Sequence, residues 1–131
     1  MTESVVVDAS VVVELLAGTA YAPALRRRLD KADWHAPAHI DAEVLSALGR
    51  LHRAGELNAE EVDQRLALLT SMPLRRQPLL PLVLGAWARR ADLRLVDALY
   101  VELAAQLVAR LITTDQRLVR AAGAFAEAVH P

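Results

Sequence analysis

The chain contains no cysteine. Disulfides and thiolate metal sites are therefore excluded, and the composition suits a reducing compartment. Aromatic residues make up only 4% of the sequence, so a core has to be assembled from Leu, Val and Ala, which the 54% hydrophobic content supplies amply. The opening MTES lacks a basic segment, and the following VVVDAS is broken by an acid after three valines. No secretory leader is expected from such a start. The longest apolar stretch, Pro78 to Ala88, is too short to span a bilayer. Also absent are a Walker A sequence, a GxGxxG loop and any Ser or Cys in a nucleophile elbow. These absences predict a soluble, cytoplasmic protein. With 131 residues and no internal repeat, residues 1–131 are expected to form one domain.

Net charge is −1, which argues against a generic nucleic-acid coat. Lys31 is the one lysine, and every other basic residue is arginine. Arginine suits bidentate phosphate contacts, although a GC-rich genome also yields a chain rich in Arg, Ala and Leu.

Hydrophobic pattern and punctuation predict alternating strands and helices. Ser4 to Val7 reads as a buried strand ended by Asp8. Short helices follow at Ser10 to Leu16, ended by Gly18, and at Tyr21 to Ala32, entered at Pro23. Trp34 to Ala36 is the next strand. His39 to Ala54 is helical, with Val44, Leu48 and Leu51 on one stripe and Gly55 as the stop. Asn58 and Glu61 form a capping-box pattern for a further helix. Leu74 to Gln77 reads as a strand, Leu79 to Leu93 as a helix, and Asp97 as the cap of the next helix. Arg110 to Thr113 is a strand, Gln116 to Ala122 a helix, and Glu127 to Val129 an edge strand. The order predicts an α/β domain with a short, mostly parallel central sheet flanked by helices.

In right-handed βαβ units, strand ends and the starts of the following helices share one sheet edge, where open α/β sheets bind ligands. That topology brings Asp8, Glu43, Asp97 and Asp115 to a single edge. Each has an ordinary alternative: Asp8, Asp97 and Asp115 as helix caps, and Glu43 as a first-turn acid favoured by the helix dipole. Four acids gathered from four segments repel one another unless a cation joins them. Oxygen-only donors point to Mg²⁺ or Mn²⁺ rather than zinc. His35 and His39 flank Pro37 without the spacing of a zinc motif, and His39 falls near the site edge. Such a cation site suits phosphoryl chemistry. Ser10, Thr113 and Thr114 lie beside the acids, as site-edge hydroxyls or as caps.

These residues resemble those of a known family. VVVDASVVVELL looks like the opening motif of a PIN-domain ribonuclease, APAHIDAEVLSAL its second, LVDALYVELAAQL its third and RLITTDQRLVRAA its fourth. Order and spacing agree over nearly the whole chain, and its length suits the VapC-type toxins of bacterial type II toxin–antitoxin systems. The resemblance implies a PIN-like fold and a Mg²⁺- or Mn²⁺-dependent endoribonuclease that is neutralised by a cognate VapB-type antitoxin and forms a homodimer. It implies that Asp8, Glu43, Asp97 and Asp115 are the catalytic, metal-binding acids. Thr113 matches the threonine two residues before the last acid, and Ser10 a small polar position after the first. Ser46 departs from the Asn carried by many relatives. Asp41 lies two residues before Glu43 and competes for the second acidic place, but EVLSAL is the matching frame.

Other readings stay open. A non-catalytic PIN-like module that binds RNA or protein would lack one of the acids, and none is missing. A phosphoacceptor receiver domain needs a basic partner on a late strand, whereas Lys31 precedes the second strand. Arg75, Arg76, Arg89, Arg90 and Arg94 either flank an RNA groove or are solvated surface residues. The dense apolar run Leu79, Leu80, Leu82, Val83, Leu84 and Trp87 is either core or an interaction face.

Overall fold

Three consecutive valines form the centre of the molecule. In the computed structural model, which describes residues 2–131, Val5, Val6 and Val7 are fully buried within strand β1 (Ser4–Val7). A strand that is apolar on both faces is what a sheet covered by helices on both sides demands. The remaining strands are β2 (Asp33–Pro37), β3 (Leu74–Gln77), β4 (Arg110–Thr113) and β5 (Ala126–Ala128). They make one five-stranded sheet in the order β3-β2-β1-β4-β5. Every pairing is parallel.

The helices are α1 (Ala9–Ala17), α2 (Ala22–Leu29), α3 (Ile40–Arg53), α4 (Ala59–Ser71), α5 (Val83–Ala88), α6 (Leu95–Leu107) and α7 (Gln116–Ala122). Helix α1 packs with α2, α3 and α4, while α6 packs with α5 and crosses β1, β2 and β4. The chain steps from β1 to β2 to β3 in one direction, then returns past β1 to β4 and β5. With right-handed crossovers, that reversal places α1–α4 and α5–α7 on opposite faces. It also makes the gap between the carboxyl ends of β1 and β4 the switch point, where such sheets open a crevice.

Local chemistry explains most boundaries. Gly18 closes α1 with φ 67°, a left-handed conformation that costs glycine little. Asn58 and Glu61 form both hydrogen bonds of the capping box that starts α4, at 2.8 and 3.0 Å.

Four expectations need correction. Helix α2 ends at Leu29, short of Ala32, because the backbone turns extended at Asp30 and Lys31 adopts φ 61°. The stretch Leu79 to Leu93 is not one helix. A 3-10 turn at Leu80–Leu82 leads into the short α5, and residues 89–94 carry the chain back to the sheet edge where α6 begins. Asp97 is not a cap: α6 starts two residues earlier, at Leu95, with Arg94 in the capping position. The edge strand also runs one residue ahead of the expected Glu127–Val129, because Ala126 pairs with Leu111. Among the described residues, no helix is long and apolar enough to cross a membrane.

Candidate active site

Asp8 is the first residue after β1, and sheet register decides what it meets. Val7 pairs with Ile112, so the next residues along, Asp8 and Thr113, lie side by side. Thr113, fully buried, donates its hydroxyl to Asp8 Oδ2 at 2.5 Å. Ser10 donates to Oδ1 at 2.6 Å, and the Val11 N–H reaches the same oxygen at 3.2 Å, so Asp8 also caps α1. The carboxylate is only 7% exposed. Burial pushes its pKa up to about 6; the three hydrogen bonds pull it down, while Asp115 nearby pushes it further up. Burial overrides the stabilising bonds.

The other acids arrive from separate helices. Asp115, just past β4, caps α7 by accepting from Arg117 N–H at 2.9 Å. Its own N–H donates to Thr113 Oγ1 at 2.9 Å. Thr113 therefore ties Asp8 to Asp115. Thr114 adds its N–H to Ser10 Oγ at 3.3 Å, stitching the start of α1 to the end of β4. Asp97, in the first turn of α6, is held in a fork by Arg94 at 3.0 and 3.4 Å. Glu43 lies in the first turn of α3.

The Tyr100 hydroxyl donates to Glu43 Oε1 at 2.6 Å. His39 Nε2 stands 3.2 Å from that oxygen and 3.2 Å from the Val96 carbonyl. Both neighbours accept, which assigns the proton to Nε2. Burial raises the Glu43 pKa, but the bonds from His39 and Tyr100 outweigh it and hold the carboxyl below its ordinary value. One oxygen of Glu43 is thus committed, and the other is left for a ligand. The rival acid Asp41 turns away and accepts a bidentate pair from Arg76 at 2.9 and 3.0 Å.

Tyr100, 1% exposed, marks where the four segments meet. Burial first, then Glu43, Asp8 and Asp97 all raise its pKa. Sequence reasoning missed this residue. Its signal was position alone, one helical turn after Asp97 on the same face of α6. Arg117 was missed as well. It stands 3.5 Å from Asp115, and with Arg94, Asp97 and Asp115 it lines a cavity of about 160 Å³. A second cavity of about 370 Å³ is lined by His39, Glu43, Ser46 and Arg50. Ser46 accepts from Arg50 at 2.9 Å. A cavity of about 490 Å³ lined by Arg26, Lys31, Trp34 and Arg75 opens at the other end of the strands, far from the acids.

The flanking arginines divide. Arg75 pairs with Asp33 at the amino end of β2, on the edge away from the acids. Arg76 is engaged by Asp41 and Arg89 by Glu102, while Arg90 lies over the Trp87 ring. Arg94 alone of these five stands at the acidic edge.

The donor set is all carboxylate oxygen, which suits a hard cation such as Mg²⁺ or Mn²⁺. Among the described residues, no three acidic or histidine side chains converge closely enough to grip an ion. Arg94, Arg117 and the Tyr100 hydroxyl each hold one of the four acids. The chemistry fits a cation, and two arginines occupy the charges that it would claim.

Comparison with known proteins identifies the family and the fold. The PIN domain family profile matches residues 5–124. Ribonuclease VapC3 of Mycobacterium tuberculosis is 56% identical over 120 residues, covering 91% of this chain and 88% of that protein. The crystal structure of Mycobacterium tuberculosis VapC20, described as a sarcin-ricin loop cleaving toxin, superposes with a TM-score of 0.69 at 19% identity, covering 96% of this chain and 99% of that one. A toxin–antitoxin complex from Klebsiella pneumoniae gives a TM-score of 0.66 at 19% identity, covering 94% and 95%. At these identities the two structures speak to the fold.

Proposed function

Because this chain belongs to the PIN-domain family of VapC ribonucleases, we propose that it is a metal-dependent endoribonuclease toxin. Asp8, Glu43, Asp97 and Asp115 hold Mg²⁺ or Mn²⁺, and a cognate VapB-type antitoxin neutralises the protein. The observation that carries the reading is the buried Asp8 carboxyl, pushed up to about 6 with Asp115 beside it, next to Tyr100, which lies in the field of Glu43, Asp8 and Asp97. Acids drawn to one sheet edge from separate segments are the oxygen donors that a hard divalent cation takes.

Held by these carboxylates, a divalent cation would supply an activated water and charge stabilisation for the leaving oxygen of a phosphodiester. The chain's own residues prepare the site. Ser10 and Thr113 fix both oxygens of Asp8. Tyr100 and His39 fix one oxygen of Glu43 and leave the other free. Thr113 aligns Asp115 with Asp8 through the Asp115 N–H. Asp97 projects from the first turn of α6, where the helix dipole favours its charge.

RNA is the substrate in this reading, and the cysteine-free composition suits a cytoplasmic setting. Leu80, Leu84 and Trp87 are exposed at 83%, 87% and 56%, a surface suited to a protein partner, the antitoxin or a second copy in a homodimer. The test is Asp97→Asn beside Glu43→Gln. Each is expected to lower RNA cleavage at least about 100-fold, the loss that follows removal of a group acting in the transition state, with circular dichroism unchanged. An Asp97→Asn protein that cuts at the wild-type rate overturns the reading.

A further inference from the structure

Arg94 occupies the capping position of α6, where Ser, Thr, Asp or Asn is usual, yet its side chain makes no capping bond. The guanidinium turns over the first helical turn and takes both Asp97 oxygens, through Nε at 3.0 Å and Nη2 at 3.4 Å. At 70% exposed, the side chain is not fixed by packing. Asp115 and Glu43 add to the field at the same guanidinium. One tethered cation thus serves acids from α6, from the end of β4 and from α3.

An exposed ion pair of this kind is weak, so the guanidinium is released at little cost. Both Asp97 oxygens are taken by it, and a divalent ion competes for them with twice the charge. A displaced Arg94 remains tethered to α6 at the mouth of the cavity that it lines with Arg117. Its planar fork matches a phosphodiester bidentately.

We propose that Arg94 is the built-in counter-ion of the acidic site and that, once a metal ion takes Asp97, it positions the RNA strand by a backbone phosphate. The proposal rests on the ribonuclease reading and extends it to substrate binding. No bond is made or broken by Arg94; its carboxylate partner is exchanged for a phosphate. Arg117, 76% exposed beside Asp115, lies at the same mouth and adds positive charge there.

The experiment compares wild type, Arg94→Ala and Arg94→Lys. Mn²⁺ is titrated calorimetrically into each protein without RNA. Cleavage kinetics are then measured at saturating Mn²⁺ on a synthetic RNA that the wild type cuts. Removing the competing cation is expected to tighten Mn²⁺ binding by about 2- to 5-fold in Arg94→Ala. Losing a phosphate contact is expected to raise KM about 10-fold, with kcat changed by less than about 3-fold. Arg94→Lys is expected to fall between the two for both quantities. Unchanged or weaker Mn²⁺ binding in Arg94→Ala overturns the counter-ion role. An unchanged KM, or a loss confined to kcat, overturns the phosphate role. If the wild type neither binds Mn²⁺ nor cuts RNA, the ribonuclease reading falls and this proposal with it; if the wild type does both and Arg94→Ala matches it, only this proposal falls.

Discussion

Replacing Asp8 by Asn is expected to make the metal-free protein more stable while destroying its activity. Asp8 is 7% exposed, and its pKa is pushed up to about 6 from 3.8. A difference of that size is worth about 3 kcal/mol of destabilisation at pH values above both constants. The sign follows from proton counting. Between the two values the folded chain holds a proton that the unfolded chain has lost, so stability falls as pH rises through this window. Asparagine has no charge to bury. It keeps an acceptor for Ser10 and Val11 and turns its amide toward Thr113, at a loss of about 1 kcal/mol from weaker hydrogen bonds. The net gain expected near pH 7.5 is about 2 kcal/mol, or roughly 5–8 °C in Tm. Near pH 4 it shrinks to below about 1 kcal/mol and can reverse. Urea denaturation in EDTA across this range measures it. The difference between the two proteins carries the test, because other groups tilt the individual curves the other way. Glu3, Glu43 and Glu127 have lowered pKa values, so their contributions are lost as pH falls below the carboxylate range. His35 is lowered by burial and resists the protonation that the unfolded chain accepts. An Asp8→Asn protein no more stable than wild type at pH 7.5, or a difference that does not change with pH, refutes the reasoning.

Tyr100→Phe removes one hydroxyl from a site that is otherwise 1% exposed. Loss of the bond to the Glu43 carboxylate is expected to cost about 1.5–3 kcal/mol of stability and to slow RNA cleavage at least about 10-fold; wild-type cleavage by this variant would show that Tyr100 does not orient Glu43. Val108→Gly is expected to stabilise the protein by about 1 kcal/mol, since Val108 ends α6 in the left-handed region at φ 51° and is 93% exposed, leaving little burial to lose. A lower Tm for this variant in a calorimetric scan would contradict that account.

Strong local signals carried most of the fold. The buried run Val5–Val7, the capping pair Asn58 and Glu61, and the strand Arg110–Thr113 all lie where pattern placed them. Errors arose where tertiary needs override local pattern. The sequence from Leu79 to Leu93 is apolar enough for one helix, but the chain has to travel back across the sheet before α6 begins. Asp97 has the residue type of a cap, while Arg94 holds the capping position.

The acidic edge followed from topology alone, since strand order and handedness fix which ends share a side. Which groups satisfy the acids did not follow. Tyr100 reaches Glu43 from another helix, Arg76 draws Asp41 away, and Arg75 pairs at the opposite edge. These pairings depend on side-chain directions that spacing in one chain does not encode.

The central claim is that the four acids serve a divalent cation that drives RNA cleavage. The direct measurement is cleavage by purified protein dialysed against EDTA, followed by addition of Mg²⁺ or Mn²⁺. The account predicts no cleavage after dialysis, recovery when either ion is added, and no recovery in Asp8→Asn. Cleavage that persists in EDTA, or an Asp8→Asn protein that recovers as the wild type does, contradicts it.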